Sequence, residues 1–269
     1  MSAVKDSLFI VTGAGSGIGR ALAIQAVNEG AMVIATDVNE KGLDETIALT
    51  NHQAQKYLLD VSKPQQIEDF ARDIIKQYFH HRIILVNNAG VAIHSGNFAE
   101  TPLDDFEWLL SINLWGVIRM TKAFLPHMVK QNQGHIVNVS SVFGIVGLPH
   151  QSAYATAKFG VKGFSDVLKI ELIRSNVKVS SVHPGGINTN IARSSKISEG
   201  QNIEQAKKQI AEFQKALKMS PERAAEIIIA GIKNDKARIL VGSDAKLMDW
   251  IARIFPNTYH HKLAKLFKM

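Results

Sequence analysis

The chain alternates short apolar runs with longer stretches in which apolar residues recur at helical spacing. Short apolar runs bounded by turn residues are typical of strands buried on both faces, whereas the longer amphipathic stretches predict helices. The predicted strands are residues 8–12, 32–36, 55–59, 83–87, 135–139, 178–183 and 238–241. The predicted helices are residues 18–29, 40–49, 64–78, 103–131, 153–174 and 221–234.

This alternation predicts an α/β fold: a doubly wound, seven-stranded parallel sheet with helices on both faces. The sequence has no Pro/Ser-rich linker, so we expect residues 1–244 to form one domain. The stretch 103–131 is too long for one ordinary helix, and we expect a break near residues 111–113. The polar segment 190–219 predicts a mobile lid. Residues 245–269 predict a basic, amphipathic, helical C-terminal extension.

Composition and charge narrow the class of protein. The 269 residues are 46% hydrophobic, enough for a sizeable core, and include no cysteine, which excludes disulfide and thiolate chemistry. The N-terminus has no signal-peptide pattern and no apolar run is long enough to span a membrane, so we expect a cytoplasmic protein. The net charge of +7 is not accompanied by a basic patch interleaved with aromatic residues, so we expect no nucleic-acid partner. We also predict no metal site.

A glycine-rich turn, with the sequence Thr-Gly-Ala-Gly-Ser-Gly-Ile-Gly over residues 12–19, follows the first predicted strand and precedes a predicted helix. Glycines at such a turn let backbone amides approach a pyrophosphate, which the positive end of the helix then faces. Glycine clusters also mark many ordinary loops, but the order of strand, glycines and helix favours dinucleotide binding. The residues expected to contact the dinucleotide here are Gly13, Ser16, Gly17, Ile18 and Gly19.

Asp37 comes at the end of the second predicted strand. A carboxylate there can accept hydrogen bonds from the adenosine ribose and repels a 2′-phosphate. Position 16 is Ser rather than a basic residue, and no Lys or Arg follows Asp37 before Lys41, so the sequence favours NAD over NADP. The alternative is that Asp37 only caps the helix that starts near Asn39.

Two further strand ends complete the predicted cofactor site. Asp60 and Val61 follow the third strand and are expected to flank the adenine. Asn88, Ala89 and Gly90 follow the fourth strand, where small residues suit a cofactor that lies against the backbone. Asn88 is alternatively a turn residue, although an Asn pair in such a loop favours the bracing of two strands.

Tyr154 and Lys158 lie four residues apart in a predicted helix, and Ser141 follows the fifth strand. Residues at i and i+4 share one face of a helix. A lysine ammonium beside a phenol lowers the Tyr pKa from about 10 toward neutral pH, so that the phenol can exchange a proton with an alcohol or a carbonyl. By itself this short pattern is more typical of a helix with an exposed Lys and a half-buried Tyr.

These motifs occur in one order along residues 7–190: the glycine turn, Asp37, Asp60, residues 87–90, Asn113, Ser141, Tyr154, Lys158 and Pro184-Gly185. In this combination the chain resembles the single-domain branch of the short-chain dehydrogenase/reductase family, which has a Rossmann-type fold. The resemblance implies that Tyr154 is the acid/base, that Ser141 polarises the substrate oxygen, that Lys158 binds the nicotinamide ribose and lowers the Tyr pKa, and that Asn113 holds a water. It also implies cofactor contacts from Tyr154, Lys158, Pro184, Gly185, Ile187 and Thr189.

The predicted function is reversible hydride transfer between a hydrophobic alcohol, secondary or primary, and NAD, giving a ketone or an aldehyde. One alternative is an NADPH-dependent carbonyl or 3-oxoacyl reductase. A non-enzymatic dinucleotide-binding sensor on the same fold is the other, which the intact set of four catalytic candidates disfavours. The candidates for the substrate pocket are His94, Val142, Phe143, Leu148 and His150. Either His is alternatively a solvated loop residue.

Two kinds of partner surface are predicted. The family resemblance implies a homodimer or homotetramer built on the helices 114–131 and 153–174. In the C-terminal extension, apolar residues recur at helical spacing at Leu247, Trp250, Ile251, Ile254 and Phe255. Aromatic and basic residues on an amphipathic helix suit peripheral contact with an anionic membrane. The favoured prediction is instead that this stripe packs on the domain or on a sister subunit.

Overall fold

The computed structural model describes residues 2–266 of the chain. Within these residues the strands are β1 (Leu8–Thr12), β2 (Met32–Asp37), β3 (Ala54–Leu58), β4 (Ile83–Asn87), β5 (Ile93–His94), β6 (Gly134–Val139), β7 (Val177–Pro184), β8 (Lys196–Ile197) and β9 (Arg238–Val241). The helices are α1 (Gly17–Asn28), α2 (Glu40–Leu49), α3 (Pro64–Gln77), α4 (Leu103–Asn113), α5 (Trp115–Lys130), α6 (Ser152–Glu171), α7 (Ile203–Ala216), α8 (Pro221–Lys233), α9 (Ser243–Ile254) and α10 (Tyr259–Leu266).

Seven strands form one parallel sheet in the order β3-β2-β1-β4-β6-β7-β9, which confirms the predicted fold class. The chain runs outward from β1 to β3, returns to β4 and then runs outward to β9, so the strand order reverses between β1 and β4. At such a reversal the loops after the two strands diverge and leave a crevice at the carboxyl ends of the strands, where open α/β sheets bind ligands.

The central strands are buried on both faces because alternate residues point into opposite helical layers. Phe9 and Val11 of β1 belong to the apolar cluster that includes α1 and α8, whereas Leu8 and Ile10 belong to the cluster that includes α3 and α5. All four side chains are fully buried. Burial of a large apolar side chain contributes about 1.5–3 kcal/mol, so this two-sided packing holds the edge of the crevice in place.

β3 differs from the prediction of strands that are apolar throughout. Within Ala54–Leu58 only Ala54 is buried, while Gln55, Lys56 and Leu58 are exposed. β3 is the outermost strand of the sheet on the side of β2. An edge strand has a neighbour on one side only, and polar residues there discourage pairing with another chain.

The long helical stretch is interrupted close to the predicted position. α4 ends at Asn113, α5 begins at Trp115, and Leu114 lies between them. The break therefore falls at the end of the predicted range of residues 111–113 and leaves Asn113 at a helix terminus.

The predicted lid is anchored at both of its ends. At its start β8 pairs in parallel with β5, so that Lys196 lies opposite Ile93 and Ile197 opposite His94. At its end, after α7, Met219 bridges to Ile187.

The C-terminal extension packs on the domain through one face only. Met248 and Leu263 are buried in a cluster with Ile145 and Val146, which follow β6. Ile251 is partly buried against the same cluster, as the favoured prediction requires. Three other side chains of the stripe do not follow this prediction, because about half of the surface of each is exposed: Leu247, Trp250 and Ile254. None of the helices in residues 2–266 is long and apolar enough to cross a membrane.

Candidate active site

The glycine turn lies at the carboxyl end of β1, at the reversal of strand order. Gly13 and Gly17 have φ values of +68° and +53°, a conformation that residues with a Cβ rarely adopt. A Cβ on Gly13 would lie 2.7 Å from the Cα of Ala89, and a Cβ on Gly19 would lie 2.1 Å from the main-chain oxygen of Gly13. Glycine at these positions therefore brings the start of α1 directly against β1 and β4.

The start of α1 fits an anionic ligand. Ser16 is the N-cap residue, and its side chain makes no capping hydrogen bond. The N–H groups of a first helical turn have no intrahelical acceptor, and the helix dipole makes this end positive. A cradle too tight for a Cβ, with main-chain donors at a positive helix end, fits the pyrophosphate of a dinucleotide.

Asn88 and Thr12 hold the loop after β4 against the glycine turn. Asn88 Nδ2 donates to the main-chain oxygens of Thr12 and Gly13, at 2.9 and 3.2 Å. Thr12 Oγ1 accepts from the main-chain N–H groups of Asn88 and Ala89, at 3.0 and 2.9 Å. Asn87 Nδ2 donates to Asn138 Oδ1 at 2.8 Å, so the Asn pair braces neighbouring strands, as predicted. Sequence reasoning misses Thr12, whose signal is a hydroxyl at a strand end directly before the glycines.

Asp37 faces the glycine turn and does not cap α2. Its Oδ2 accepts from the main-chain N–H of Gly15 at 2.8 Å, and its Oδ1 accepts from that of Asn39 at 2.9 Å. The N-cap of α2 is Asn39, whose side chain accepts from the main-chain N–H of Gly42 at 3.1 Å. The alternative of a helix-capping Asp37 is therefore wrong.

Arg20 lies at the same end of the site and is missed by sequence reasoning, since it follows the turn rather than β2. One terminal nitrogen donates to the main-chain oxygen of Gly15 at 2.5 Å and pairs with Glu45 at 2.8 Å. Its Nε donates to Thr46 Oγ1 at 3.0 Å. Arg20 thus links α1 to α2, and Glu45 balances its charge.

Asp60 and Val61 follow β3, two strands away from the reversal. Asp60 Oδ1 accepts from the main-chain N–H of Ser62 at 2.8 Å, which stabilises the turn. Val61 is buried, and a Cβ on Gly116 of α5 would lie 2.8 Å from its Cγ2. Both residues are therefore held firmly, and their contact with an adenine stays a prediction.

Tyr154, Lys158 and Ser141 come together at the carboxyl edge of the sheet. Because α6 begins at Ser152, Tyr154 and Lys158 lie in its first two turns. Lys158 Nζ lies 5.5 Å from the centroid of the Tyr154 ring and donates to the main-chain oxygen of Val139 at 3.0 Å. The Phe143 ring meets the Tyr154 ring edge-on with 6.1 Å between centroids, and its main-chain N–H donates to Ser141 Oγ at 3.1 Å.

The pKa values of this group differ from the prediction. Burial raises the pKa of Tyr154 to about 12, and a hydrogen bond with Ser141 acts in the opposite direction. Burial also lowers the pKa of Lys158 to about 8. The pKa of Tyr154 is therefore raised rather than lowered, because desolvation of the phenolate outweighs the hydrogen bond with Ser141. Tyr154 is held as a neutral phenol, which is a proton donor.

Ser140 serves the structure around Lys158. Its Oγ donates to the main-chain oxygen of Lys158 at 2.7 Å, which ties the end of β6 to the second turn of α6. The Ser140 hydroxyl therefore donates to the main chain of α6 and not to Tyr154. Ser141 is the serine predicted from the sequence to hold the substrate oxygen.

Asn113 is fully buried at the end of α4 and is joined to Val91 by both ends of its amide. Its Oδ1 accepts from the main-chain N–H of Val91 and its Nδ2 donates to the main-chain oxygen, both at 2.8 Å. A Cβ on Gly90 would lie 3.3 Å from Asn113 Oδ1 and 3.6 Å from Lys158 Nζ. Asn113 thus fixes the loop after β4 beside Lys158, and a water held by it stays a prediction.

The segment after β7 folds over the glycine turn. A Cβ on Gly17 would lie 3.1 Å from the Cβ of Thr189. Pro184 ends β7, and Ile187 is buried beside Met219. The cofactor contacts predicted for the glycine turn and those predicted for the segment after β7 are therefore adjacent.

Asp244 fixes the start of this segment and is missed by sequence reasoning. Its Oδ2 accepts from the main-chain N–H of Gly186 at 2.6 Å. A Cβ on Gly185 would lie 2.2 Å from the Asp244 carboxylate, so only glycine permits this approach. The signal in the sequence is an acidic residue in the first turn of the helix that follows a strand end.

The predicted pocket residues lie in four different surroundings. Phe143 contacts Tyr154, while Val142 and Leu148 are partly buried in the cluster with Met248 and Leu263. His94 lies in β5, where its main-chain oxygen accepts from the N–H of Ser198 at 3.0 Å. His150 is exposed with a φ of +61°, and none of its described hydrogen bonds or ring contacts reaches Ser141 or Tyr154.

A charged contact fastens the start of the lid to α4. Lys196 Nζ pairs with the buried carboxylate of Asp105 and lies 5.4 Å from the centroid of the Trp108 ring. With the β5–β8 pairing, this contact holds residues 196–198 beside the loop after β4.

Comparison with known proteins identifies the family that this chain resembles. Residues 7–200 match the family model described as short chain dehydrogenase. A protein of Mycobacterium tuberculosis named "Putative oxidoreductase SadH" is 39% identical over 271 residues, with coverage of 98% of this chain and 96% of the relative. The 3-oxoacyl-[acyl-carrier-protein] reductase FabG of Thermotoga maritima is 37% identical over 190 residues, which cover 69% of this chain and 76% of the relative.

Solved structures give the same result. A short-chain dehydrogenase/reductase of Burkholderia phymatum in complex with NAD has a TM-score of 0.86 at 26% identity, with coverage of 95% of both chains. A closed form of serine dehydrogenase complexed with NADP+ has a TM-score of 0.76 at 26% identity, with coverage of 87% of this chain and 93% of that one. The chain belongs to the short-chain dehydrogenase/reductase family and is an oxidoreductase with a nicotinamide dinucleotide site.

Proposed function

We propose that the protein catalyses reversible hydride transfer between a hydrophobic alcohol and NAD, with Tyr154 as the acid/base. The observation that carries this proposal is the cluster of Tyr154, Lys158 and Ser141 beside the glycine turn. Gly90 connects this cluster to the glycine turn. It packs close to Lys158 Nζ and lies in the loop after β4, which Asn88 fastens to Gly13.

Each side chain has a distinct role in this proposal. A nicotinamide ring bound in the crevice supplies the hydride chemistry. The Tyr154 hydroxyl exchanges a proton with the substrate oxygen, and Ser141 Oγ holds that oxygen by a hydrogen bond. Lys158 supplies a cation whose position is fixed by Val139, and it binds the ribose next to the reacting ring. Asn113 holds the loop of Gly90 and Val91 in place beside Lys158.

Reduction of a carbonyl is a second candidate for the main direction. A Tyr154 with its pKa raised to about 12 is protonated at neutral pH, and a protonated phenol is ready to donate to a carbonyl oxygen. The similarity to a 3-oxoacyl reductase supports the same direction.

NAD rather than NADP is proposed as the cofactor. The Asp37 carboxylate lies against Gly15, in the position where it would meet the adenosine ribose and repel a 2′-phosphate. Arg20 is the nearby cation, and its guanidinium is paired with Glu45 and with main-chain oxygens. A 2′-phosphate would therefore meet the Asp37 carboxylate, and the nearby Arg20 charge is already neutralised by Glu45.

The proposed substrate is apolar near its reacting carbon. Phe143 lies edge-on to Tyr154, and Val142 and Leu148 continue the apolar lining beyond Ser141. The β5–β8 pair places the start of the lid beside Ile93, which belongs to the apolar cluster against which Tyr154 packs. An aliphatic or aromatic alcohol, or the matching ketone or aldehyde, suits such a surface.

The proposed protein partner is a second copy of the chain. The end of α6 and the turn that follows it expose apolar side chains that the domain does not cover, with exposed fractions of 54% at Val167 and 72% at Ile170 in the helix and 77% at Ile173 just beyond it. An exposed row of large apolar residues such as this one marks a surface that a partner covers. A homodimer or homotetramer built through α5 and α6 accounts for this row.

A substrate panel tests the proposed function. Purified protein is assayed with primary and secondary alcohols of increasing chain length, and with the matching carbonyls, each with NAD(H) and with NADP(H), by the absorbance of the reduced cofactor. Turnover that increases with the apolar length of the substrate and prefers NAD supports the proposal. Tight dinucleotide binding without turnover of any of these compounds contradicts it and favours the sensor alternative.

A further inference from the structure

His183 is a buried histidine on β7, next to Pro184, with no role in the chemistry described above. Its side chain has no solvent exposure. Its Nδ1 lies 3.1 Å from the main-chain oxygen of Ser141, and its Nε2 lies 3.3 Å from Ser181 Oγ. It therefore joins β7 to the residue proposed to hold the substrate oxygen.

The main chain of β7 cannot supply this contact. Ser181 and Gly185 donate their N–H groups toward β9, to Ala237 and Val241. The alternate residues Val182 and Pro184 face β6, where the last such bond runs from Ser140 N–H to the Val182 oxygen at 2.8 Å. The next position on that side is Pro184, which has no N–H. The His183 side chain offers a donor to the segment after β6 at the point where the main-chain ladder stops.

The partners of the ring define its tautomer. A main-chain oxygen only accepts, so Nδ1 carries the proton and donates to Ser141. Nε2 is then an acceptor for the hydroxyl of Ser181, whose single hydrogen has the Ala237 oxygen, at 3.4 Å, as its alternative acceptor. Burial, together with the charges of Arg238, Lys169 and Lys162, lowers the pKa of His183 to about 4, which keeps the ring in this neutral form.

The contact continues to the surface of α6. Lys169 Nζ donates to Ser181 Oγ at 3.1 Å and to Asp166 Oδ1 at 3.0 Å. A hydrogen-bonded chain thus runs from Asp166 through Lys169, Ser181 and His183 to Ser141. It links the far end of the helix that carries Tyr154 and Lys158 to the main chain of Ser141.

We propose that His183 is a positioning residue that fixes the main chain of Ser141, so that the Ser141 hydroxyl is aimed at the substrate oxygen beside Tyr154. The inference rests on the proposed function for its effect on turnover. The Ser141 oxygen also accepts from the Gly144 N–H at 3.0 Å. Loss of His183 therefore loosens the short turn Val142–Gly144 without unfolding the sheet.

Two substitutions separate positioning from packing. His183→Leu keeps a similar volume and removes both ring nitrogens, whereas His183→Asn keeps a side-chain N–H near the position of Nδ1. The matched controls are His135→Leu and His135→Asn. His135 is equally buried, on β6, and its ring contacts Ser180 Oγ at 2.7 Å and Ser2 Oγ at 3.0 Å at the opposite edge of the sheet.

Two readouts are measured on each full-length variant. Hydrogen–deuterium exchange of the peptide covering residues 140–147 reports the position of Ser141 without any need for turnover. Steady-state kinetics with the best substrate of the panel give kcat and the KM for NAD. For His183→Leu we expect exchange at least fivefold faster in this peptide, and kcat lower by about tenfold, since one hydrogen bond of this kind is worth about 0.5–1.5 kcal/mol. The KM for NAD should change less than twofold.

The expected pattern is rescue by His183→Asn, with kcat within about threefold of the wild type, and normal exchange and kcat in both His135 variants. Unchanged exchange of residues 140–147 in a folded His183→Leu protein overturns the proposal, as does unchanged kcat with accelerated exchange. An equal loss of kcat in the His135 variants also overturns it, because that result shows general destabilisation. If the wild-type protein turns over no substrate, the proposed function fails, and the exchange measurement alone decides whether His183 positions Ser141.

Discussion

Lys158 Nζ donates a 3.0 Å hydrogen bond to the main-chain oxygen of Val139, the last residue of β6. The ammonium is thereby anchored to the sheet rather than free to follow the Tyr154 hydroxyl, and it lies 5.5 Å from the centre of the Tyr154 ring. Tyr154 and Lys158 therefore form a fixed pair whose proton affinities are set mainly by burial.

The first prediction concerns pH. Alcohol oxidation needs a deprotonated Tyr154, whose pKa is raised to about 12, so its rate should increase as the pH rises from about 7 to about 10. Carbonyl reduction needs the protonated phenol, which a pKa of about 12 maintains across this range, so its rate should stay level up to about pH 8 and fall only where Lys158 loses its charge. Because the pKa of Lys158 is lowered to about 8, the oxidation profile should bend there, and Lys158→Met should remove the bend along with most of the rate. Initial rates in both directions across this range check the prediction, which a reduction rate that increases with pH would contradict.

The second prediction concerns the choice of dinucleotide. Asp37→Ala should raise the KM for NAD by about tenfold, because hydrogen bonds to a charged group are worth about 1.5–3 kcal/mol. The same change should lower the KM for NADP, since the repulsion of the 2′-phosphate is removed. The control is Asp44→Ala, which removes an equal charge from α2, where Asp44 pairs with Lys56. An NAD/NADP preference that does not change in Asp37→Ala would show that Asp37 does not contact the ribose.

The third prediction concerns the lid. Lys196→Met keeps the length of the side chain beside Trp108 and removes the ion pair with the buried Asp105. Half of the Lys196 side chain is exposed, so a loss of about 1 kcal/mol is expected, equivalent to a KM for the substrate about fivefold higher. The KM for NAD should stay the same, and Lys208→Met on the exposed face of α7 serves as the control. Steady-state kinetics decide the matter: a substrate KM equal to that of the control would exclude a closing role for this ion pair.

The fourth prediction concerns assembly. Ile170→Glu places a charge in the middle of the exposed apolar row Val167, Ile170 and Ile173, and should convert the proposed oligomer to a monomer, as measured by sedimentation velocity. Ile203→Glu is the matched control, because Ile203 is also more than half exposed but starts α7. A wild-type protein that sediments as a monomer, or an Ile170→Glu protein of wild-type size, would contradict this interface.

The positions of the strands along the chain and the glycine turn could be predicted because their signals are local. Apolar runs indicate β1, β4 and β6. The conformations of Gly13 and Gly17 are required by residues that are close in sequence or lie at neighbouring strand ends. The exposed character of β3 could not be predicted in the same way, since its position at the edge of the sheet depends on the whole topology.

The finer structure of the site could not be predicted because it depends on burial and on distant pairs. Burial, which no spacing along the chain reveals, reverses the expected direction of the Tyr154 pKa. Asp244 contacts Gly186, and Lys196 contacts Asp105, across 58 and 91 residues of sequence. Contacts of this kind arise only once the sheet has brought the loops after several strands to one edge.

The proposed function depends most directly on the proton exchanged by the Tyr154 hydroxyl. Tyr154→Phe removes that hydroxyl and retains the ring that packs against Phe143. Tyr57→Phe is the control, since Tyr57 packs on Phe70 in the core, 4.7 Å between ring centroids. The decisive measurement is kcat of both variants beside their NAD affinity by calorimetry. We predict that Tyr154→Phe lowers kcat by at least a hundredfold with NAD affinity within about threefold of the wild type, while Tyr57→Phe retains kcat. A folded Tyr154→Phe protein that keeps more than about a tenth of the wild-type kcat would contradict the assignment of Tyr154 as the acid/base.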